Sequence, residues 1–353
     1  MSRLLKSMMI FTAFAFAVTA ADKCADDDQP QKGYDQGHAV KEHQMLGAYN
    51  APARIDVRGS FDVSLSADFI WWQPKEKGLD LAYLADSDVS TSVSNGFVHP
   101  GNDYKPGFKI GLGVNFEHDN WGMFAEYTWL HFTQSKSYTR PDSTVTIHPM
   151  WNFGHGDTLT AVTGNWKVGY DMIDLVMQRA YYNGTKLTYT PSLGLRGGWI
   201  KSKMSSVYTG TYANNGKAKD KTWLVGPKAG FDANYIFGAG FRMFGKAAAA
   251  LLYQNFKTSI DYYANTTLTN NIKCSHKGQL TPNAELGLGL GYGTYFSNRG
   301  FHFDIALSYD FECYWNQNNM RSLLDASQTA VYGYYKAGDL FMHGLTVALK
   351  FDF

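Results

Sequence analysis

The chain has 353 residues, a formal net charge of +1 and a mean hydropathy of -0.30. A charge this close to zero argues against a nucleic-acid partner. The sequence is rich in aromatic residues, with 23 Phe, 23 Tyr and 9 Trp, and it contains 35 Gly. Beyond its N-terminal region no apolar run is long enough for a membrane-spanning helix, so any crossing of a membrane would be made by strands.

The first 20 residues have the features of a secretory signal peptide. Arg3 and Lys6 give a positively charged start, and Met8 to Val18 is an apolar run of secretory length. Val18-Thr19-Ala20 is a small-residue pattern that signal peptidase cleaves. We therefore expect the mature chain to begin directly after Ala20.

From Phe61 onward the sequence repeatedly alternates between apolar and polar residues, which predicts strands with one apolar face. In Phe61 to Trp72 every odd-numbered position is apolar. Nine further segments have a comparable pattern: Phe108 to Phe116, Trp121 to Phe132, Trp166 to Ala180, Leu187 to Ile200, Trp223 to Tyr235, Phe241 to Phe256, Asn283 to Phe296, Phe301 to Trp315 and Phe341 to Phe353. Their lengths suit a tilted membrane crossing, which needs about 9 to 11 residues.

The connections between these segments alternate between short and long. Short turns follow the second, fourth, sixth and eighth strands, at Glu117 to Asn120, Tyr181 to Lys186, Ile236 to Gly240 and Ser297 to Gly300. Long polar segments follow the odd-numbered strands. Because outer-membrane barrels have short periplasmic turns and long external loops, we expect Tyr138 to Asp157, Met204 to Lys219 and Thr258 to Gly278 to face outside.

These patterns predict an all-β fold, a transmembrane antiparallel up-and-down β-barrel of about ten strands. Leu79 to Leu84 also has a strand pattern, and if it crosses the membrane with a partner the count rises to about 12–16. We expect a signal peptide at 1–20, a periplasmic N-terminal segment at 21–57 and the barrel at 58–353. The expected location is the bacterial outer membrane, reached after the signal peptide is cleaved.

The apolar face of nine of the ten predicted strands carries no Asp, Glu, Lys or Arg. A charge facing lipid at mid-depth costs about 2 to 4 kcal/mol, so outer-membrane lipid is an expected partner of this face. In the fourth strand the apolar parity changes after Met172, which predicts a β-bulge there. Tryptophans at strand ends predict an outer aromatic girdle of Trp71, Trp129, Trp166, Trp199, Trp223 and Trp315.

The polar face of the predicted strands carries charges of both signs. The residues expected to line a pore are Lys109, Glu126, Lys167, Arg196, Lys228, Asp232, Arg242, Lys246, Glu285, Asp304 and Asp310. Two interpretations are open: a salt-bridged lumen that fills a small barrel, or a polar pore whose charges filter solutes. About eight to ten strands give an interior that side chains can fill, whereas 16 or more give a channel.

The last predicted strand ends on aromatic residues. Phe351 and Phe353 lie on its apolar face. A terminal aromatic facing lipid looks like the recognition signal for membrane insertion, which makes the barrel assembly machinery an expected partner. Ordinary packing within the aromatic girdle is the alternative.

An outer-membrane enzyme is the main alternative of another class. Candidate groups near the external rim are His131, His148, His155, Asp157, Asp310 and Glu312. Their spacing matches no catalytic or metal-binding motif. We therefore expect no enzymatic activity, no catalytic residue, no cofactor and no metal.

Three cysteines in an oxidising compartment cannot all pair within one chain. Cys274 lies in a predicted external loop and Cys313 lies near the outer end of the ninth predicted strand. These two are the candidate disulfide. Cys24 is then left for a partner or stays free.

Several segments resemble one known family. They are Tyr49-Asn50-Ala51-Pro52-Ala53-Arg54, Ala67 to Trp72, Trp166-Lys167 with Asp174-Leu175 and Arg179, Pro191 with Gly194 to Ile200, Gly226-Pro227-Lys228-Ala229-Gly230, and Tyr314 to Asn318. Together they resemble the major-outer-membrane-protein-like family of Legionella and chlamydia-related bacteria. The resemblance implies a porin for small hydrophilic solutes that is also a surface antigen, and in chlamydial relatives a disulfide-linked envelope component. The alternative is a structural or adhesive barrel without an open pore, and either would be a monomer or a homo-oligomer.

Overall fold

The structure, a computed structural model, describes residues 53, 55, 57, 62–86, 96–116, 120–151, 159–211, 214–264, 267–320 and 337–353. The predicted signal peptide and most of the predicted periplasmic segment lie outside these residues, as do Cys24, His155 and Asp157. Within the described part of the chain, no helix is long and apolar enough to span a membrane.

The described residues are almost entirely strands. In chain order they are β1 (Val63–Glu76), β2 (Ala82–Asp86), β3 (Gly96–Val98), β4 (Lys105–Asn115), β5 (Gly122–Thr139), β6 (Val145–Pro149), β7 (Ala161–Gln178), β8 (Tyr181–Asn183), β9 (Leu187–Thr209), β10 (Asn214–Gly238), β11 (Phe241–Ala264), β12 (Thr267–Phe296), β13 (Phe301–Asn318) and β14 (Gly338–Asp352). A 3-10 turn at Ser297–Arg299 joins β12 to β13.

Ten of these strands form a closed antiparallel barrel. Their order is β10-β11-β12-β13-β14-β1-β4-β5-β7-β9, and pairing of β9 with β10 closes the ring. The short strand β8 pairs only with the start of β9. Each of the ten predicted strands corresponds to one barrel strand, so the prediction of about ten is confirmed and the larger count is not realised in the described residues.

The strict alternation of side chains places an apolar surface on the outside of the barrel. In β1, Leu65, Phe69 and Trp71 are about half exposed, while Ile70 and Trp72 are buried inside. The register continues this pattern around the ring, since Phe69 lies opposite Phe108 on one side and Val347 on the other. This is the arrangement of a surface in contact with lipid.

Several barrel strands extend far beyond the predicted outer girdle. Only residues 210–213 separate β9 from β10, and only residues 265–266 separate β11 from β12. The segments Met204 to Lys219 and Thr258 to Gly278, predicted as loops, are therefore mostly strand. Their polar residues alternate with buried ones, so polarity by itself did not indicate a loop.

The predicted bulge in the fourth barrel strand is wrong. Along β7 the even-numbered side chains point inward without interruption, and its pairing with β5 and β9 shows no register shift. Trp166 is consequently 1% exposed and lies inside the barrel, not in the girdle, while its neighbour Lys167 faces outward. The apparent change of parity arises because apolar residues face the lumen in the outer part of this strand and lipid in the inner part.

The segment Leu79 to Leu84 does not cross the membrane. It leads into β2, which pairs with β3 and β6 in a separate three-stranded sheet. Leu79 and Leu81 are at most 1% exposed and belong to the same apolar cluster as inward residues of the barrel. The alternating pattern therefore correctly indicates a strand, but the apolar side chains of this segment pack inside the barrel.

Candidate functional site

The outer part of the barrel lumen is filled by an apolar core. Eight of the ten barrel strands contribute buried side chains to it: Ile70, Trp72, Leu130, Phe132, Trp166, Val168, Tyr170, Met172, Ile200, Met204, Tyr208, Ala218, Leu224, Ala250, Leu252, Ile260, Tyr314, Leu340 and Met342. Side chains of this size interdigitate at the density of a protein interior. We call this cluster, with the segment that enters it, the outer core.

A hydrogen bond joins opposite walls of the barrel at the base of the outer core. The hydroxyl oxygens of Tyr170 and Tyr314 are 2.8 Å apart, and both side chains are buried. Tyr170 is on β7 and Tyr314 on β13, which are five places apart in a ring of ten strands. Direct contact between diametrically opposite strands means that side chains occupy the centre of the lumen at this level.

The segment before β2 completes the outer core. Leu81 packs so closely against Gly164 of β7 that a Cβ on this glycine would lie 2.3 Å from the leucine side chain. The Tyr208 hydroxyl donates to the Leu81 carbonyl oxygen at 2.7 Å, and the Trp151 indole donates to the Asp80 carbonyl oxygen at 2.8 Å. Backbone polar groups of the inserted segment are thus satisfied by buried side chains.

A charged layer lies directly inward of the two tyrosines and is organised by Arg196. Its Nε donates to Asp174 Oδ1 at 2.6 Å, and its Nη1 donates to Glu312 Oε1 at 2.8 Å and to Asn283 Oδ1 at 2.9 Å. The guanidinium also contacts Glu285. With 2% of its side chain exposed, Arg196 is a buried cation held by several acceptors from different strands.

Lys228 is the second cation of this layer. Its Nζ lies 2.9 Å from Asp174 and 2.9 Å from Glu285. Two cations, Arg196 and Lys228, thus face three carboxylates, those of Asp174, Glu285 and Glu312. Buried ion pairs of this kind contribute little net stability, but removal of one partner leaves the others unpaired.

The inner part of the lumen is a charged chamber. Two adjoining cavities of 430 Å³ and 340 Å³ share a wall that includes Asp232, Arg242, Asp304 and Lys350. Nine of the eleven residues predicted to line a pore face the smaller cavity: Lys109, Glu126, Lys228, Asp232, Arg242, Lys246, Glu285, Asp304 and Asp310. The larger cavity reaches the ends of the short turns and Ile55 of the N-terminal segment.

Many charges of the chamber are paired with one another. Lys109 Nζ is 3.3 Å from Glu126, and Arg242 Nη2 donates to Asp304 at 2.8 Å. The walls of the chamber are therefore polar and largely neutralised, as in the salt-bridged interpretation, while the cavities leave space for water.

Two predicted pore residues lie elsewhere. Lys167 is on the outer surface, because the odd-numbered side chains of β7 point outward along the whole strand. Its assignment to the lumen is therefore wrong. Arg196 faces the lumen, but its burial among carboxylates removes it from any water-filled path. Neither outcome was visible from the period-two pattern, which does not reveal how the interior is packed.

Two buried carboxyl groups near the external end of the outer core were not predicted. Glu76 is five residues beyond Trp71, and Asp220 is three residues beyond Trp223, so both lie outside the lipid-facing band. Glu76 accepts from Ser202 at 3.0 Å and Asp220 accepts from Thr258 at 3.1 Å. Burial raises the pKa of Glu76 to about 8 and the pKa of Asp220 to about 7.

The groups considered for catalysis do not converge. His131 lies on the exposed outer wall with its Nε2 3.0 Å from Asp171, and the His148 ring stacks on Tyr83 at 4.4 Å. Glu312 accepts hydrogen bonds from Tyr170 and Arg196 within the charged layer. In the part of the chain that the structure describes, no group of three or more His, Cys, Asp or Glu is placed to hold a metal ion.

The candidate disulfide is wrong. Cys274 is exposed and Cys313 is buried, and both are free. Cys313 lies opposite Ala284, which is ten residues along β12 from Cys274. At about 3.3 Å per residue this separation is roughly 30 Å, far beyond the reach of a disulfide.

The terminal aromatic residues lie where the barrel strands end at the inner side. Phe351 is 39% exposed and its ring centroid is 5.9 Å from that of Phe353. The Phe353 amide donates to the Val63 carbonyl oxygen at 2.9 Å, which joins the last residue to the first barrel strand.

A closed ten-stranded antiparallel barrel with an apolar outer surface defines an outer-membrane β-barrel protein. Residues 56–353 match the family model described as Legionella pneumophila major outer membrane protein precursor. The chain belongs to this family and is an outer-membrane protein. The resemblance inferred from the sequence is thereby confirmed.

Comparison with solved structures finds several other outer-membrane barrels at low sequence identity. The outer membrane protease OmpT from Escherichia coli has 12% identity and a TM-score of 0.39, with 82% of this chain and 96% of that chain covered. Ail, the attachment invasion locus protein of Yersinia pestis, has 12% identity, coverage of 82% and 99%, and a TM-score of 0.26. A FadL homologue from Pseudomonas aeruginosa has 9% identity, coverage of 82% and 89%, and a TM-score of 0.29. Comparison with curated proteins finds no match.

Proposed function

We propose that the protein is a structural or adhesive outer-membrane barrel whose lumen is closed to solutes in the conformation described. The observation that carries this proposal is the 2.8 Å contact between the Tyr170 and Tyr314 hydroxyls across the full width of the barrel. Arg196 lies inward of this contact and the outer core lies outward of it. A ten-stranded barrel is narrow enough for side chains to close it in this way.

The long strands support a role at the cell surface. From Trp223 to Asn214, strand β10 continues for nine residues beyond the girdle, which is roughly 30 Å at the rise of a β-strand. Its neighbours β9 and β11 remain paired with it over this distance. The outer end is thus a rigid wall that stands above the membrane and offers a large area for contact with other molecules.

Conductance in a planar lipid bilayer tests the closed lumen. We expect the refolded full-length mature protein to give no stable conductance steps. Combining Tyr170→Ala and Tyr314→Ala with Leu81→Ala removes both the contact across the barrel and the inserted leucine side chain, and should produce steps. Lys246→Gln, which changes the chamber but not the Tyr170–Tyr314 contact, is the matched control and should give no conductance steps. Stable steps from the unaltered protein that change in size with Lys109→Glu would contradict the proposal.

A porin for small hydrophilic solutes is the second candidate, and the charged chamber is the observation that favours it. The cavities of 430 Å³ and 340 Å³ leave space for water inward of the Tyr170–Tyr314 contact. The chamber also contains nine of the residues expected to line a pore. Ion transport through this path requires displacement of Leu81 and of the two tyrosines. Liposome swelling in small sugars by the unaltered protein would support the porin.

We also propose that Phe353 is part of the signal by which the barrel assembly machinery inserts the chain. Its place directly after strand β14 and its ring contact with Phe351 on the outer surface support this role. Deletion of Phe353 should leave the protein in the periplasm or degraded, as measured by membrane fractionation. Phe301→Ala, which removes a ring 5.7 Å from Phe351 without shortening the chain, is the control and should insert normally.

A further inference from the structure

A patch of lysines covers the outer wall just above the lipid-facing band, on strands β7, β9, β10 and β11. We define the lysine patch as Lys167, Lys201, Lys203, Lys219, Lys221 and Lys257, all of which are exposed. The patch concentrates six positive charges in a chain whose net charge is only +1. None of the six forms an ion pair within the residues that the structure describes.

The register places these lysines directly opposite one another. Lys221 pairs with Lys201 on one side and with Lys257 on the other, and Lys203 pairs with Lys219 and with Lys167. Directly opposed side chains have Cβ atoms about 4.5 to 5.5 Å apart, and like charges at this spacing destabilise a sheet. A ligand carrying several negative charges would relieve this repulsion.

An apolar groove lies immediately below the patch on three of the same strands. It has a volume of 400 Å³ and is lined by Ile173, Leu175, Leu195, Trp199, Trp223 and Val225. Gly197 also lines this groove, and the absence of a side chain there leaves it open on the membrane side. The groove is therefore a cleft in the surface that contacts lipid tails.

The groove and the patch lie at the depths of the two parts of a lipid. Trp199 and Trp223 are cross-strand neighbours at the upper end of the groove, where the interfacial girdle lies. Lys201 and Lys221 are two residues further out on the same face, which is roughly 7 Å. Acyl chains below the girdle and anionic head groups above it fit this order.

We propose that this wall binds a phosphorylated, multiply acylated glycolipid of the outer leaflet, with an acyl chain in the groove and its phosphates on the lysine patch. A lipid is favoured over a soluble polyanion because the charges are continuous with the lipid-facing surface. Several phosphates are required because the positive charges are distributed over four strands. The site is on the outside of the barrel and does not depend on whether the lumen is open.

The test measures the affinity of the refolded full-length mature protein, in detergent micelles, for a bis-phosphorylated lipid A and for its dephosphorylated form. We expect the bis-phosphorylated lipid to bind more tightly. Lys201→Gln combined with Lys221→Gln should weaken its binding about 30-fold, because each lysine near an anionic surface contributes about 5-fold. The control, Lys75→Gln with Lys136→Gln, removes two exposed lysines of β1 and β5 and should leave affinity within about twofold.

A second variant tests the groove separately. Gly197→Leu fills the cleft with a side chain and should weaken binding of the acylated lipid about tenfold, while binding of inorganic phosphate is unchanged. Equal affinity for the phosphorylated and dephosphorylated lipids would overturn the proposal. So would displacement of the lipid by a soluble sulfated polysaccharide whose own binding is insensitive to Gly197→Leu, since that result assigns the patch to a soluble polyanion.

Discussion

In the outer part of the lumen the inward side chains are apolar and aromatic, whereas in the inner part they are charged and line a chamber. The same ten strands build both regions, with the same alternation of side chains. In the outer part, apolar groups and the inserted segment exclude water, and stability comes from packing. In the inner part, ion pairs such as Lys109 with Glu126 line space that remains open.

The charged layer around Arg196 is the boundary between these regions. The carboxylates of Asp174 and Glu285 face the chamber, while Tyr170 and Tyr314 belong to the outer core. A barrel of this width can therefore be closed over part of its height and hollow over the rest. The difference depends on the side chains at each level and not on the number of strands.

The largest effect is expected from removal of the cation at the boundary. Arg196→Met leaves the buried carboxylates of Asp174 and Glu312 without their main partner, so the free energy of unfolding should fall by about 3 to 5 kcal/mol. Urea unfolding of the refolded protein in micelles measures this change. Lys246→Met in the chamber, where the lysine lies over the Phe244 ring, should cost less than about 1 kcal/mol. Equal losses for the two variants would remove the distinction between boundary and chamber.

The next effect tests the packing of the outer core. Leu81 is fully buried, so Leu81→Ala should lower the free energy of unfolding by about 3 kcal/mol through lost burial and the cavity left behind. Leu195→Ala is the matched control, because Leu195 is 55% exposed on the surface that faces lipid. A small effect at Leu81 would show that the inserted segment is not part of a packed core.

A pH dependence is expected from the carboxyl groups at the external end. The raised pKa of Glu76, about 8, means that the folded state prefers its neutral form. This group therefore stabilises the fold fully below its ordinary pKa, and the contribution is lost as pH rises through about 8. Asp220, with a pKa raised to about 7, acts in the same direction.

We expect the free energy of unfolding to fall as pH rises from about 5.5 to about 8.5, because both carboxyl groups must lose a proton in the folded state over this range. Glu76→Gln should flatten this slope, whereas Asp142→Asn, at an exposed carboxylate, should leave it unchanged. Urea unfolding at a series of pH values gives the slope. A slope of opposite sign would place the dominant titrating groups elsewhere in the protein.

The smallest effect concerns the close approach between Leu81 and the barrel wall. Gly164→Ala introduces a Cβ that meets the Leu81 side chain at 2.3 Å, so the leucine must shift at a cost of about 1 kcal/mol. Gly169→Ala in the same strand has its nearest contact at 3.4 Å, with His131, and should be close to neutral. Thermal unfolding of the two variants makes the comparison, and a larger loss at Gly169 would contradict it.

The sequence by itself determined the number of barrel strands and, in nine of the ten, the side that meets lipid. Period-two alternation is a local property, and a charge on the lipid-facing side is costly, so the pattern in Phe61 to Trp72 leaves one orientation for the first strand. Nine of the chamber residues, including Lys109 and Asp304, were found because polar residues opposite a lipid-facing set must point inward.

Only the tertiary structure decided how the lumen is filled. In β7 the apolar side chains of Trp166, Val168, Tyr170 and Met172 point inward. Buried side chains from seven other barrel strands and the inserted Leu81 belong to the same core. A sequence does not distinguish an apolar surface against lipid from one against a packed interior, since both remove it from water. The outward position of Lys167, the separation of Cys274 from Cys313 and the burial of Arg196 all depend on contacts between residues distant in the chain, which local alternation does not encode.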